Sequence, residues 1–342
     1  YLVLDTAFYD ENFKEKLIES IDNIDENTDG LLIHSENFQT LNLLQEKYKT
    51  QIECCYIDPP YNTMSSEILY KNNYKHSSWL SLMNDRLMLS KKLLKKDGII
   101  TVAIDDYEVN KLWELMTNIF GYSNHLGTIV IRNNPKGRMT SRKVSLTHEY
   151  TLIFGNSEDS YVKKLPVDPR DKTHNYKQDE NGEWYLPVNL RKQGVDSEAE
   201  KPDGSLSERY FPIYYDPLSG KISSLEKLSI KILPIDSSGN KRIWRRGKDV
   251  IDEMYKKGQL WVQETKQGLQ VYFKFTGGLD GKLVQSIWSD PRCSASDHGT
   301  KILDNLLGCR EVFSYPKAPY AVEQNILTMS NNKLTTVLDF FA

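Results

Sequence analysis

Asp58-Pro59-Pro60-Tyr61 is the segment of this chain best suited to chemistry. It follows the apolar run Ile52 to Ile57, which reads as a buried strand. A polar, aromatic tetrapeptide at the carboxyl end of such a strand occupies the place where open α/β sheets bind ligands. Consecutive prolines fix φ at two positions and remove two backbone donors. What is left is acceptor chemistry, from the Asp58 carboxylate and the Pro59 carbonyl. Tyr61 adds a flat ring. Acceptors beside a stacking face suit a planar substrate that carries an exocyclic amino group.

The flanking pattern supplies elements that could position this motif. One helix is expected over Glu11 to Ile24, a short strand at Leu31 to Ile33, and a helix over Phe38 to Leu44. From Trp79 to Lys96 the pattern is that of an amphipathic helix. Leu80, Met83, Leu87 and Leu94 lie near one face, Arg86, Lys91 and Lys92 face out, and Asp97-Gly98 stops it. Ile99 to Ile104 carries no charge, as expected of a central parallel strand. A further helix spans Val109 to Phe120, and Gly121 ends it. Strand–helix alternation of this kind predicts an α/β fold with a doubly wound sheet. Near residue 160 the rhythm gives way to Pro, Gly, Asp, Ser, Tyr and Trp, with short strand candidates such as Gln270 to Phe275. The pattern becomes globular again after Gln285 and ends on a strand candidate, Thr336 to Asp339.

The bulk numbers set limits. With 342 residues and 39% hydrophobic content the chain can bury a real core in one large or two moderate domains. A formal net charge of −3 does not by itself announce a nucleic-acid binder, so such a role must rest on local clusters. Cys54, Cys55, Cys293 and Cys309 show no CxxC spacing, which argues against a zinc site or disulfide framework and points to a reducing cytosol. The six histidines are scattered, and Asp105-Asp106 reads as a capping turn before Glu108, so no metal is expected. No apolar stretch is long enough to span a bilayer. The first residue is Tyr rather than Met, which suggests a fragment.

Asp58 to Tyr61, with Asn62-Thr63 behind it, resembles the catalytic motif of amino-group DNA methyltransferases. His76 to Leu80, the helix through Arg86-Leu87, and Gly98 to Asp106 are similar to the segments that follow this motif in the Mod subunits of type III restriction–modification systems. His34 to Leu41 resembles the acidic segment ahead of the catalytic strand. Phe313 to Lys317 and Val337 to Ala342 resemble the pieces that approach the cofactor. The catalytic motif precedes the cofactor strand, which is the β-class order of that family. The chain stops at Ala342, before the Gly-Ser-Gly loop that such a segment leads into.

The resemblance implies a circularly permuted, Rossmann-like methyltransferase sheet using S-adenosyl-L-methionine (AdoMet). Residues 1–160 would form the catalytic half, 161–285 an inserted mixed or β-rich target recognition domain, and 286–342 the return to the sheet. It implies catalytic roles for Asp58, Pro59, Pro60 and Tyr61, and cofactor contacts from Glu36, Lys317, Asp339, Phe340 and Ala342. The implied reaction is methylation of adenine N6 in duplex DNA, with Asp rather than Ser at position 58 favouring adenine over cytosine N4. The implied partners are double-stranded DNA, a second copy of the chain and a Res helicase–nuclease subunit. An alternative of another class is a DNA-recognition fragment without catalysis.

Two basic runs bear on DNA. Arg132, Lys136, Arg138, Arg142 and Lys143 lie in a stretch with no acidic residue. Arg242, Arg245 and Arg246 surround Trp244. A charge run is usually a solvated face. In a chain acting on DNA these are candidate phosphate contacts, and none is assigned to a base.

Overall fold

A computed structural model of the protein describes residues 5–24, 26–62, 76–137, 144–309, 313, 315–330 and 334–342. It divides into two compact units, one of residues 1–162 with 285–342 and one of residues 163–284. Along the chain the helices are α1 (Glu11–Glu19), α2 (Asn37–Tyr48), α3 (His76–Leu93), α4 (Val109–Phe120), α5 (Lys248–Lys256), α6 (Lys301–Leu307) and α7 (Pro319–Met329). The first four strands are β1 (Ile52–Ile57), β2 (Leu94–Ile104), β3 (His125–Ile131) and β4 (Glu149–Gly155). Those of the second unit are β5 (Lys177–Gln178), β6 (Trp184–Asn189), β7 (Ile213–Tyr215), β8 (Ile222–Ser223), β9 (Ile230–Ile232), β10 (Leu260–Thr265) and β11 (Gly268–Phe275). β12 (Ile287–Trp288) and β13 (Val337–Leu338) return to the first.

The first unit is built on a six-stranded sheet of order β12-β3-β4-β2-β1-β13. β1 runs parallel to both neighbours, pairing Cys54 with Ile99 on one side and with Val337 on the other. β2 is parallel to β1 but antiparallel to β4. Its unbroken apolar run therefore reports burial on both faces rather than an all-parallel setting. Helices cover the sheet through stripes spaced four residues apart, which lie on one helix face. Trp79, Met83 and Leu87 of α3, and Leu112, Met116 and Phe120 of α4, are buried in one core with Ile57, Ile100 and Phe154.

The structure corrects several local expectations. α3 ends at Leu93, and Leu94 already pairs with Ile52. From Ile52 to Cys54 β1 advances two residues while β2 advances from Leu94 to Ile99, so the excess forms a bulge. Gly98 sits inside it. A Cβ there would lie 3.0 Å from the carbonyl oxygens of both Ile52 and Lys95. Gly98 thus serves close backbone approach within a strand rather than helix termination. Arg86 does not face out but pairs with Glu36 and Asn37, and Lys91 donates to the Ile119 carbonyl at 2.6 Å. α1 stops at Glu19 rather than Ile24. Leu31 to Ile33 forms no strand and is exposed, with Leu32 at 89%.

The second unit holds a four-stranded sheet, β10-β11-β6-β5, and a three-stranded sheet, β8-β7-β9. Its own core gathers Phe211, Ile213, Trp244, Ile251, Val271 and Phe273. Trp244 is buried, and its indole N–H donates to the Phe211 carbonyl at 2.7 Å. Among the described residues no helix is long and apolar enough to cross a membrane.

Candidate active site

The carboxyl ends of β1 and β13 lie side by side because the strands are parallel and in register, Cys55 opposite Leu338. Asp58 leaves β1 there, and Asp339 leaves β13. The prolines after Asp58 are held from behind. Trp79, fully buried on α3, donates its indole N–H to the Pro60 carbonyl at 2.8 Å. Asn62 closes the motif in the left-handed region, at φ 58°, which an Asn tolerates better than most residues. Its buried side chain donates to the Glu108 carboxylate at 2.7 Å, and His76 meets the same oxygen at 2.7 Å. Glu108 at the start of α4 therefore fixes the exit from the motif. Asp105 accepts from the Tyr107 amide at 2.9 Å, so it does form the expected turn. His148 meets the Tyr150 hydroxyl, which donates to Asp106.

Asp58 lies beside one cation, Lys317, and two further carboxylates, Glu149 and Asp339. Lys317, expected from the sequence either at the cofactor or as an exposed residue after a turn, is half-buried, with its side chain 18% exposed. Its ammonium lies 2.5 Å from Glu149 Oε2 and 3.4 Å from Asp58 Oδ1. It also donates to the Tyr61 hydroxyl. The ammonium is 4.7 Å from the Tyr61 ring centroid, and its bond to the phenol oxygen places it off the hydroxyl end rather than squarely over the ring. Tyr61 donates in turn to Glu149 Oε2 at 3.1 Å, as does Asn133 Nδ2 at 2.8 Å. Three donors thus converge on one oxygen of a buried carboxylate.

The electrostatics follow from this crowding. Burial raises the Asp58 pKa above the usual carboxylate value, Lys317 pulls it down, Glu149 pushes it up, and the net shift is upward. Burial alone would lower Lys317, but the Asp58 and Glu149 carboxylates outweigh it and hold the ammonium charged. Burial, then Asp58 and Glu149, push the Tyr61 phenol well up, so it stays neutral. Asp339 is raised to about 6, by burial first and by Asp58 as well.

Of the predicted cofactor residues, Asp339, Phe340 and Ala342 follow β13 and Glu36 is linked to them through Asn37 and Arg86, whereas Lys317 sits with Glu149, Tyr61 and Asp58. Phe340 is buried, and its carbonyl accepts from Asn37 Nδ2 at 3.0 Å. Asn37 Oδ1 in turn accepts from Arg86 at 2.5 Å. Glu36 caps α2 by accepting from the Gln39 amide at 3.2 Å and pairs with Arg86. Ala342 is exposed beyond them. An open carboxyl at Asp339 next to Asp58 suits a ligand bearing an ammonium and a sulfonium, so the residues present fit AdoMet.

Of the basic candidates, Arg132 and Lys136 are exposed on the segment after β3, which also carries Asn133. Arg138, Arg142 and Lys143 lie outside the described residues. In the second unit Arg242 is committed internally, to Asp236 at 2.7 Å and Glu198 at 3.9 Å. Arg245 and Arg246 line a hollow of about 410 Å³ together with Lys192, Arg209, Phe273 and Phe275. Among the described residues no acidic side chain lines it. Lys192, Arg209, Trp79, Asn133 and Glu149 were not singled out from sequence. Only Trp79, at the head of an apolar stripe, had a local signal.

An α/β sheet that brings an acidic, proline-rigidified motif to the meeting of two parallel strand ends places it where such sheets bind ligands. The DNA methylase family matches residues 52–342, and this chain belongs to it. The type II methyltransferase M.KpnI of Klebsiella pneumoniae is 30% identical over 98% of this chain and 78% of its own length. The type III restriction–modification enzyme EcoPI Mod subunit of Escherichia phage P1 is 28% identical over 92% of this chain. The chain spans 54% of that Mod subunit. Among solved structures, the M1.HpyAVI–SAM complex is 14% identical, covering 40% of this chain and 59% of that one, with a TM-score of 0.29.

Proposed function

We propose that this chain is the methylating part of a restriction–modification enzyme, resembling a type III Mod subunit, that transfers a methyl group from AdoMet to adenine N6 in duplex DNA. The observation that carries the reading is Asp58 at the mouth of the β1 end, its side chain 29% exposed and beside Asp339. The adenine N6 lone pair is delocalised into the ring and is a poor nucleophile. One N6–H donated to Asp58 and the other to the Pro59 carbonyl would favour a pyramidal nitrogen with its lone pair aimed outward. That gain is greatest where positive charge builds on nitrogen. AdoMet supplies the electrophilic methyl group when bound. Asp339, Phe340, Glu36 and Ala342 would form the protein side of its seat. Once the new N–C bond exists one N6 proton must leave, and Asp58 is placed to take it.

The amine of a paired base is out of reach, so the base must leave the stack, at a cost of a few kcal/mol. Stacking on Tyr61 would offset roughly 1–3 kcal/mol of that. The 163–284 unit is proposed to read the target, with Arg245 and Arg246 as phosphate contacts, and Arg132 and Lys136 as contacts beside the site. By the same resemblance the protein would work as a homodimer and recruit a Res helicase–nuclease, which light scattering and co-purification test.

Methylome sequencing of a host expressing the full-length gene tests the central claim. N6-methyladenine in one sequence context is the expected result. N4-methylcytosine would move the substrate assignment, and an unmarked genome with no heat on titration of AdoMet would leave a recognition module.

A further inference from the structure

The catalytic reading of Asp58 leaves a buried carboxylate without a role. Glu149 is 5% exposed, opens β4, and is far in sequence from the motif. Its side chain is 6% exposed, against 29% for Asp58. It draws the Lys317 ammonium to 2.5 Å and leaves it 3.4 Å from Asp58. An ammonium seated fully on Asp58 would fill the acceptor position that an exocyclic amine needs. We propose that Glu149 is a positioning residue for methyl transfer: it holds Lys317 off Asp58, so that one carboxylate binds the cation and the other stays open to the target base.

Tyr61 and Lys317 also reach Asp58, but the closer Lys317 contact falls on Glu149. Asn133 Nδ2 and the Tyr61 hydroxyl also donate to Glu149 Oε2, which fixes the carboxylate as an anchor. The titratable groups facing Asp58 are Lys317, Glu149, Tyr61, Tyr56 and Asp339, and Cys293 faces Glu149. Removing the Glu149 charge takes away a group that raises Asp58 and frees Lys317 to move toward it. Both effects lower the pKa of Asp58. Removing the Lys317 charge has the opposite effect. The other neighbours are common to all variants and cancel in the comparison.

The test uses the full-length protein with adenine-containing duplex and AdoMet, measuring kcat, KM and the acid limb of the pH profile. Glu149→Gln is expected to lower kcat about 100-fold, as a small misplacement at a reacting centre does, and to move the acid limb to lower pH. Lys317→Met moves that limb to higher pH. Adding Lys317→Met to Glu149→Gln should recover about tenfold of the lost rate, a coupling in the range seen for side chains in contact. A double variant no faster than Glu149→Gln, or acid limbs that do not part in opposite directions, overturns the proposal. The Lys317→Met profile decides the matter alone if Glu149→Gln does not fold. Asp58→Ala separates the two levels: retained transfer defeats the catalytic reading, whereas an inactive Asp58→Ala with no rescue defeats only the role of Glu149.

Discussion

Trp79 donates its indole N–H to the carbonyl of Pro60 across 2.8 Å, and this bond orients the acidic motif from inside the core. A proline pair fixes its own φ angles but not the direction in which the segment leaves the strand. Trp79 and Asn62 provide that direction, one from α3 and one from the Glu108 carboxylate. Trp79→Phe keeps most of the buried ring and leaves a carbonyl without its donor. Urea unfolding should show a loss of about 1–3 kcal/mol. Methyl transfer should fall further than stability predicts, because the motif loses its orientation. Equal, unchanged kcat in a destabilised variant would reduce Trp79 to packing alone.

Asp58→Ala removes the carboxylate of the motif itself. Methyl transfer should fall by at least about 10²–10³-fold, the range for loss of a preorganised polar partner of developing charge. Duplex binding, followed by gel shift, should stay nearly intact, because the proposed phosphate contacts lie elsewhere. Transfer at the native rate would remove Asp58 from the mechanism.

How much of this was legible in sequence differs by element. β1, α4 and the motif announce themselves because their signals are local: an apolar run, a four-residue stripe and a rigid tetrapeptide. Lys317 could be singled out only through a resemblance, and its true neighbours are 168 and 256 positions away in the chain. Glu149 had no local mark at all, since an acidic residue at a strand start is ordinarily exposed. The α3–β2 boundary misled because Leu94 to Lys96 continue a helical pattern, while pairing with β1 pulls Leu94 into the sheet. Gly98→Ala checks that account. Its Cβ would meet two backbone carbonyls, which cannot swing aside as a side chain can. A loss of about 1–3 kcal/mol is expected in thermal or urea unfolding, and a neutral change would dissolve the bulge argument.

Asp339 gives the fold a pH dependence of definite sign. Its folded-state pKa is raised from 3.8 to about 6, so the fold favours its protonated form. Folding therefore takes up protons between these values. The unfavourable charged state makes the native protein less stable as pH rises from about 4 through about 6. Because Asp339 is partly open to water, solvent trims this to roughly 1 kcal/mol or less. Asp339→Asn should flatten that part of the stability profile and leave the fold intact. A profile identical to the native one would show that the carboxyl titrates as if unfolded.

Arg242, Arg245 and Arg246 are neighbours in sequence but should behave differently on DNA. Arg242 is tied to Asp236 and sits behind the surface, whereas Arg245 and Arg246 line the basic hollow. Each phosphate contact releases condensed counterions, so its loss should lower the slope of log K against log salt by about one. Arg246→Ala should do so while leaving unfolding nearly unchanged, since its guanidinium is exposed and lies 5.6 Å from the Phe273 ring. Arg245→Ala should also reduce the slope, with some loss of stability from its bond to the Asn189 carbonyl at 3.0 Å. Arg242→Ala should leave the slope alone and weaken the second unit, because the Asp236 carboxylate then loses its cation. Titrations of duplex binding from low to moderate salt, beside urea unfolding of each variant, distinguish these outcomes. An Arg242 variant that loses salt dependence while folding normally would reverse the assignment.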